Sequence, residues 1–452
     1  MPRTAIAAEL AVWDLAHVWH GFTQMAEYEP LVIERAEGCW LTTADGRRLL
    51  DGVSSLWCNL HGHRHPVIDG AIEAQLEKVA HVTTLGMVGA TAVEFSHRLA
   101  DALPGDLNHV FYASDGAAAV EAALKMAFQY WRQCDSPQLG KTKYLAYGGA
   151  YHGDTLGSTA VGGVPAFHAM FAPLLCEVIR ADAPDRRVPA GATPAESTAH
   201  HLVQLESVLA ARHAEIAAVV IEPLVQGAAG MVMQPPGYLR GVRQLTQKYD
   251  VLLVADEIVT GFGRTGAMFA CQHESVTPDI LCLGKSITAG YLPMAAAVAS
   301  DRVYGAFLGS HETGRTFFHG HTFSGNPLAA AAALASLDLL QSERMVEELV
   351  PQRAEQLATA LAPVAASAHV AEVRQLGMLA AVELQDAATG RPLAAERRGG
   401  YHVCRESTQR GVWLRPLGDV VVVMPPLAAS AQELAMVGEV LAASIAAVLG
   451  RE

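Results

Sequence analysis

The chain reads as an α/β protein, a mostly parallel sheet covered by helices with a smaller α+β unit beside it. Two observations carry this. Short apolar segments at 110–113, 143–146, 217–221, 251–255 and 280–283 alternate with segments of helical period such as 117–131 and 239–248. That alternation arises when strands buried on both faces are joined by crossover helices. In addition, 51% of the 452 residues are hydrophobic and 17% charged, enough apolar side chains for a large core and unlike a disordered chain.

Within that frame, residues 181–200 mix Ala, Asp, Pro, Arg, Gly, Thr and Glu without a period and read as a surface excursion. From about residue 336 the pattern changes to a helix at 343–361, strands within 370–384 and at 420–423, and a closing helix at 431–449. The expected organisation is a large α/β domain over 66–335 and a small α+β domain built from 1–65 and 336–452. No repeat of 20–50 residues occurs, and the Ala-rich stretch 329–335 is helical rather than low in complexity.

Charge and cysteine usage narrow the function. With 32 Lys+Arg against 46 Asp+Glu the net charge is −14, which argues against nucleic acid or an anionic membrane as partner, because both are held by clustered cations. The seven cysteines are scattered without a C-x-x-C pair, so neither a disulfide framework nor a zinc site is suggested and a reducing cytoplasm fits. Met1-Pro2-Arg3 runs into Glu9 and Asp14 before an apolar stretch of signal length, and no run reaches membrane-spanning length. A cytoplasmic protein is expected.

Three motifs invite a functional reading and fail it. Gly261-Phe262-Gly263-Arg264-Thr265-Gly266 matches G-x-G-x-x-G, but an acidic pair rather than the glycines ends the strand before it and no helical pattern opens on it. Gly284-Lys285-Ser286 resembles the end of a P-loop, yet the position of the loop's first glycine is Asp279. His61, His63 and His65 offer imidazoles but no carboxylate or cysteine spaced to complete a metal site, so a solvated turn before Pro66 is the plainer reading.

A fourth pattern holds together. Strands end in Glu222-Pro223, in Asp256-Glu257 and in Gly284-Lys285, and in an open α/β sheet such ends converge on a ligand. An acid there needs a cation or donors beside it, so a structural Asp256–Lys285 ion pair is one reading. Ser114-Asp115-Gly116-Ala117 follows a strand and opens the helix at 117–131, where free N–H groups and the helix dipole favour an anion. Pyridoxal phosphate needs these parts: a lysine for covalent attachment, an acid for the ring nitrogen and an anion site. Tyr151, in G-A-Y-H-G-D, is the candidate to stack on the ring.

The segment V-A-D-E-I-V-T-G-F-G-R-T-G at 254–266, followed by Lys285 in L-G-K-S 29 residues after Asp256, resembles the signature of class III pyridoxal-phosphate aminotransferases. H-V-W-H at 17–20, D-G-V-S-S-L-W-C at 51–58, A-Y-H-G-D-T at 150–155, G-H-T-F-S-G-N-P at 320–327 and L-R-P-L-G at 414–418 extend the likeness over almost the whole chain. Within the class it is strongest to the biotin-pathway branch, which converts 8-amino-7-oxononanoate to 7,8-diaminononanoate.

The resemblance implies pyridoxal-phosphate fold type I and a homodimer with active sites at the subunit interface. It implies that Lys285 carries the cofactor and shuttles the proton, Asp256 meets the pyridinium nitrogen and Tyr151 stacks on the ring. Gly116 and Ala117 would give N–H groups to the phosphate, with Thr322 reaching it from the other subunit. Phe22 and Trp57 would line the substrate's aliphatic chain, and Arg415 would grip its carboxylate. Relatives carry Asp-Ser where this chain has Ser114-Asp115, and an anion there weakens phosphate binding unless Asp115 points away. S-adenosylmethionine is the expected amino donor. Phe22, Leu56-Trp57 and Val422 depart from that branch and leave open lysine as donor, or an ω-amino acid or diamine transaminase using pyruvate or 2-oxoglutarate.

Overall fold

In the computed structural model, which describes residues 3–450, seven strands form one sheet. Their spatial order is Leu107–Ala113, Ala295–Ser300, Ile280–Leu283, Leu252–Asp256, Ile216–Ile221, Lys143–Tyr147 and Val178–Ala181. Ala295–Ser300 runs antiparallel to both neighbours, and the other six strands point the same way. Every residue of Ile216–Ile221, Leu252–Asp256, Ile280–Leu283 and Ala295–Ser300 is buried, because helices cover both faces and no polar face is left to alternate. Where the helix Gly116–Gln133 crosses the sheet, Ala113, Ala118, Ala119 and Ala295 form a cluster of their own, small side chains that let helix and strands approach closely.

The C-terminal region forms an antiparallel sheet of Val370–Leu376, Leu379–Leu384, Val420–Val423 and Arg415–Leu417, with its first hairpin turning at Gly377, φ 58°. The N-terminal strands Ile33–Glu37, Trp40–Thr43 and Arg48–Asp51 are joined in parallel by Val412–Trp413, so the two ends of the chain share a sheet. The boundary expected at 335/336 falls inside the helix Pro327–Ser342.

Three sequence expectations need correction. The helix expected at 343–361 is broken: Arg344 takes a left-handed φ of 48°, a π turn follows over Met345–Leu349, and Val350–Ala365 then starts afresh with Pro351 in its first turn, where the missing N–H costs nothing. The excursion at 181–200 includes the start of the helix Pro194–Arg212, opened by a Thr193/Glu196 capping box. His61 is not in a solvated turn but buried, bonded to Ser336 Oγ at 2.9 Å, and desolvation pulls its imidazole pKa down to about 3. His63 turns away to Asp51 Oδ2 at 3.0 Å. The closing helix Ala431–Leu449 is long and apolar enough to cross a membrane, but it packs as a core helix on Val350–Ala365 and Gly399–Gln409.

One buried cation ties the foot of the sheet together. The Lys141 ammonium is fully buried over the Trp131 ring and donates to the carbonyls of His213 at 2.8 Å, Ile216 at 3.2 Å and Asp250 at 2.8 Å. Lys141→Met keeps the apolar stem and strands these acceptors, so stability should fall by about 2–4 kcal/mol. The denaturant midpoint of the cofactor-free protein checks this; an unchanged midpoint would mean the carbonyls find other donors.

Candidate active site

A cavity of about 470 Å³ opens at the carboxyl end of the parallel strands, lined among others by Gly116, Tyr151, Glu222, Asp256 and Lys285. Each arrives there because a strand has just ended. Gly116 follows Leu107–Ala113, Tyr151 follows Lys143–Tyr147 and Glu222 follows Ile216–Ile221. Asp256 ends its own strand, and Lys285 stands two residues past Ile280–Leu283. The register sets Ala255 beside Ile221 and Asp256 beside Cys282.

The Asp256 carboxylate is bound, but not by the lysine. Oδ2 accepts from His152 Nδ1 at 2.7 Å and Oδ1 from the Ile258 N–H at 3.0 Å. The structural Asp256–Lys285 ion pair is therefore not what the fold builds. The Lys285 amine lies 5.3 Å from the Trp57 ring centroid. Burial pushes its pKa down, and Asp256 pulls it part of the way back. An amine so placed reaches the neutral, nucleophilic form more readily than an exposed lysine.

The helix N-terminus offers the anion site. Asp115 turns into its own helix, Oδ1 accepting from the Ala118 N–H at 3.0 Å and its carbonyl from the Ala119 N–H at 3.1 Å. The charge that the sequence sets beside the site is thus spent as a helix cap. A Cβ on Gly116 would lie 2.8 Å from Ile258 Cδ1, so a larger residue there would have to push the Ile258 side chain aside.

Tyr151 is fixed at both ends. Its N–H donates to Glu222 Oε1 at 3.0 Å and its hydroxyl to Asp154 Oδ2 at 2.7 Å, while Phe167 meets the ring edge-on. Phe22 is exposed and packs edge-on against the same Phe167 at 5.2 Å, which places it at the rim rather than in the cavity. Trp57 is buried beside Lys285. Trp57, Arg415 and Thr322 do not line this cavity. Arg415 lies in the edge strand Arg415–Leu417, next to the 51–58 segment through the Gly52 N–H to Trp413 carbonyl bond of 3.0 Å. Thr322 sits in an exposed turn.

Two residues to which the sequence reading gave no role sit in the middle of the site. His152 is buried between Tyr151 and Asp256, and its Nε2 has no partner; the signal was its adjacency to Tyr151. Glu222 was visible as a strand-ending acid, and both its oxygens accept backbone N–H groups, from Tyr151 and from Gly227 at 2.8 Å. Glu257, by contrast, turns away from the cavity to accept from the N–H groups of Ala270 and Cys271. The residues present fit pyridoxal phosphate: an amine, a carboxylate locked in place, a flat aromatic ring and an anion-ready helix end face one space.

Burial pushes the Glu222 carboxyl up to about 7, against the pull of His152 and of the two N–H donors. Its folded value exceeds its unfolded one, so the folded state holds the extra proton in between, and stability falls as pH rises from about 5 to 7. Glu222→Gln should destabilise at all pH but flatten that slope by up to about 3 kcal/mol. Denaturant midpoints of the cofactor-free proteins at both pH values test this, and equal slopes would show a carboxylate ionised throughout.

The model of the family "Aminotransferase class-III" matches residues 23–445. The chain is 49% identical over 444 residues, 97% of each chain, to a Geobacter sulfurreducens protein named adenosylmethionine-8-amino-7-oxononanoate aminotransferase. A crystal structure of the Methanocaldococcus jannaschii protein of the same name superposes with a TM-score of 0.92 at 37% identity, covering 98% of this chain and 99% of that one. A PLP-bound amine transaminase from an uncultivated Pseudomonas species follows at 35% identity and TM-score 0.89, over 96% and 99%. The chain belongs to the class III aminotransferases, pyridoxal-phosphate-dependent enzymes of fold type I.

Proposed function

We propose that the protein moves an amino group from S-adenosylmethionine to 8-amino-7-oxononanoate, giving the 7,8-diaminononanoate of biotin synthesis. The observation that carries this is the 49% identity over 97% of both chains to a relative of that name. The free amine of Lys285, beside an Asp256 already paired to His152, supports the chemistry.

Pyridoxal phosphate, when bound, would supply an electron sink and carry the amino group between two half-reactions. This chain's residues do the rest. Lys285 would hold the cofactor by its Nζ, and as a free amine it would take the proton from the donor's Cα, a task helped by its lowered pKa. Asp256, oriented by His152, would keep the cofactor's ring nitrogen protonated, and the Tyr151 ring would offer it a stacking face. The N–H groups of Gly116 and Ala117 hold the phosphate. Thr322 serves the phosphate of a partner subunit in a homodimer, which the exposure of Trp19 and Phe318 supports. Phe22 and Trp57 flank the aliphatic chain of the keto acid, and Arg415 clamps its carboxylate with the two-pronged geometry of a guanidinium. The enzyme works in the cytoplasm.

A second reading keeps the reaction and changes the donor. Phe22, Leu56 and Val422 each remove a hydroxyl or a ring from the site expected to meet S-adenosylmethionine, and Leu56-Trp57 resembles the branch that uses lysine. A single-turnover absorbance experiment decides: add S-adenosylmethionine, lysine and an ω-amine separately to the holoenzyme, then chase with 8-amino-7-oxononanoate. Loss of the cofactor's visible absorbance with S-adenosylmethionine and its return with the keto acid is the expected result. Return only with pyruvate or 2-oxoglutarate would overturn it.

Arg415→Ala should raise KM for the keto acid by about 10–100-fold while the half-reaction with a carboxylate-free ω-amine changes little. Equal losses in both would remove Arg415 from the carboxylate role.

A further inference from the structure

Between the N-terminal strands and the cavity the chain makes one turn of left-handed helix. Ser54, Ser55, Leu56 and Trp57 have φ of 53°, 51°, 88° and 71°, closed by bonds from the Trp57 N–H to the Val53 carbonyl at 2.7 Å and from the Cys58 N–H to the Ser54 carbonyl at 3.1 Å. None of the four is glycine, and consecutive L-residues in this region are strained by their own Cβ atoms. Burial of Leu56 does not compensate, since that side chain is 44% exposed.

The restraint comes from a fully buried carboxylate. Asp51 Oδ1 accepts from the N–H of Ser55 at 2.9 Å and of Val53 at 3.4 Å; Oδ2 accepts from Ser55 Oγ at 2.7 Å and His63 Nε2 at 3.0 Å. Ser54 Oγ donates to the Met424 carbonyl at 2.7 Å and accepts from Arg264 Nη2 at 3.0 Å, pinning the turn's first residue. The turn delivers the Trp57 indole, 6% exposed, to the Lys285 amine, with an Nε1 that finds no partner. A strained backbone that ends in an unpaired buried donor does not serve stability.

We infer that Asp51 is a positioning residue: its carboxylate holds the left-handed turn Ser54–Trp57 and so sets the Trp57 indole as a wall of the substrate space over Lys285. That Trp57 walls the substrate space, and what the substrate is, rest on the function proposed above; the hold of Asp51 on the turn does not. His63 belongs to the same device, which gives the second histidine of H-G-H-R-H its work.

The test is ¹⁹F NMR of the cofactor-free protein labelled with 5-fluorotryptophan, with the Trp57 line assigned by Trp57→Phe. Asp51→Asn should shift and broaden that line. Adding Leu56→Gly, which relieves the left-handed strain without touching the network, should bring it back. In the holoenzyme the same pair should raise and then restore KM for the keto acid, by about 10-fold, with kcat moving about 3-fold or less. If Asp51→Asn does not fold, Ser55→Ala, which removes one hydroxyl bond, takes its place with the same readouts and a smaller effect. An unmoved Trp57 line in the variant, or a line that Leu56→Gly fails to restore, overturns the inference. The NMR arm needs neither cofactor nor substrate, so a wrong substrate would show only as absent turnover.

Discussion

The site depends on one hydrogen bond, His152 Nδ1 to Asp256 Oδ2 at 2.7 Å. A carboxylate at the buried end of a parallel strand has to be compensated, and just past the end of the neighbouring strand stands the cation Lys285. Had the two paired, each would have held the other in its charged form and the amine would have been a poor nucleophile. His152 takes the compensating role instead. Asp256 is then satisfied and fixed in orientation, and Lys285 is left with burial as the main influence on its pKa.

What was legible in the sequence follows from how local each signal is. The strands at 280–283 and 217–221 stand out because parallel strands buried on both faces are nearly unbroken apolar runs. The closing helix Ala431–Leu449 was bounded correctly because Ser430 and Glu433 form a capping box at its start. Lys285, Asp256, Tyr151 and the Gly116 turn lie in one cavity because each sits just after a strand, an order that sequence preserves. His152 escaped because its role depends on a partner 104 residues away. The break at Arg344 escaped because its left-handed φ belongs to a residue type that gives no such warning.

The cavity wall is assembled from segments that are costly to place. Gly116 closes on Ile258, and Gly153, at φ 115°, sits where a Cβ would lie 2.4 Å from that of Ala117. The left-handed turn before Trp57 adds about 1–2 kcal/mol for each non-glycine residue in it. Such costs stand only where the surroundings over-determine the geometry. Here these are the apolar sheet beneath the cavity and the Asp51, Ser54 and Arg264 bonds beside it.

The groups around the cavity divide by origin. Those that suit the cofactor, Gly116, Tyr151, His152, Asp256 and Lys285, all stand at or just past the carboxyl ends of strands of the large sheet, whose register fixes them to one another. Those assigned to the substrate, Phe22, Trp57 and Arg415, come from the N-terminal and C-terminal segments, which meet each other where Val412–Trp413 pairs with Arg48–Asp51. The substrate wall can therefore shift through the 51–58 turn or the 415–423 hairpin without moving the amine and the carboxylate. This separation lets one sheet support the same transfer in proteins named for a long-chain keto acid and for simple amines at TM-scores of 0.92 and 0.89.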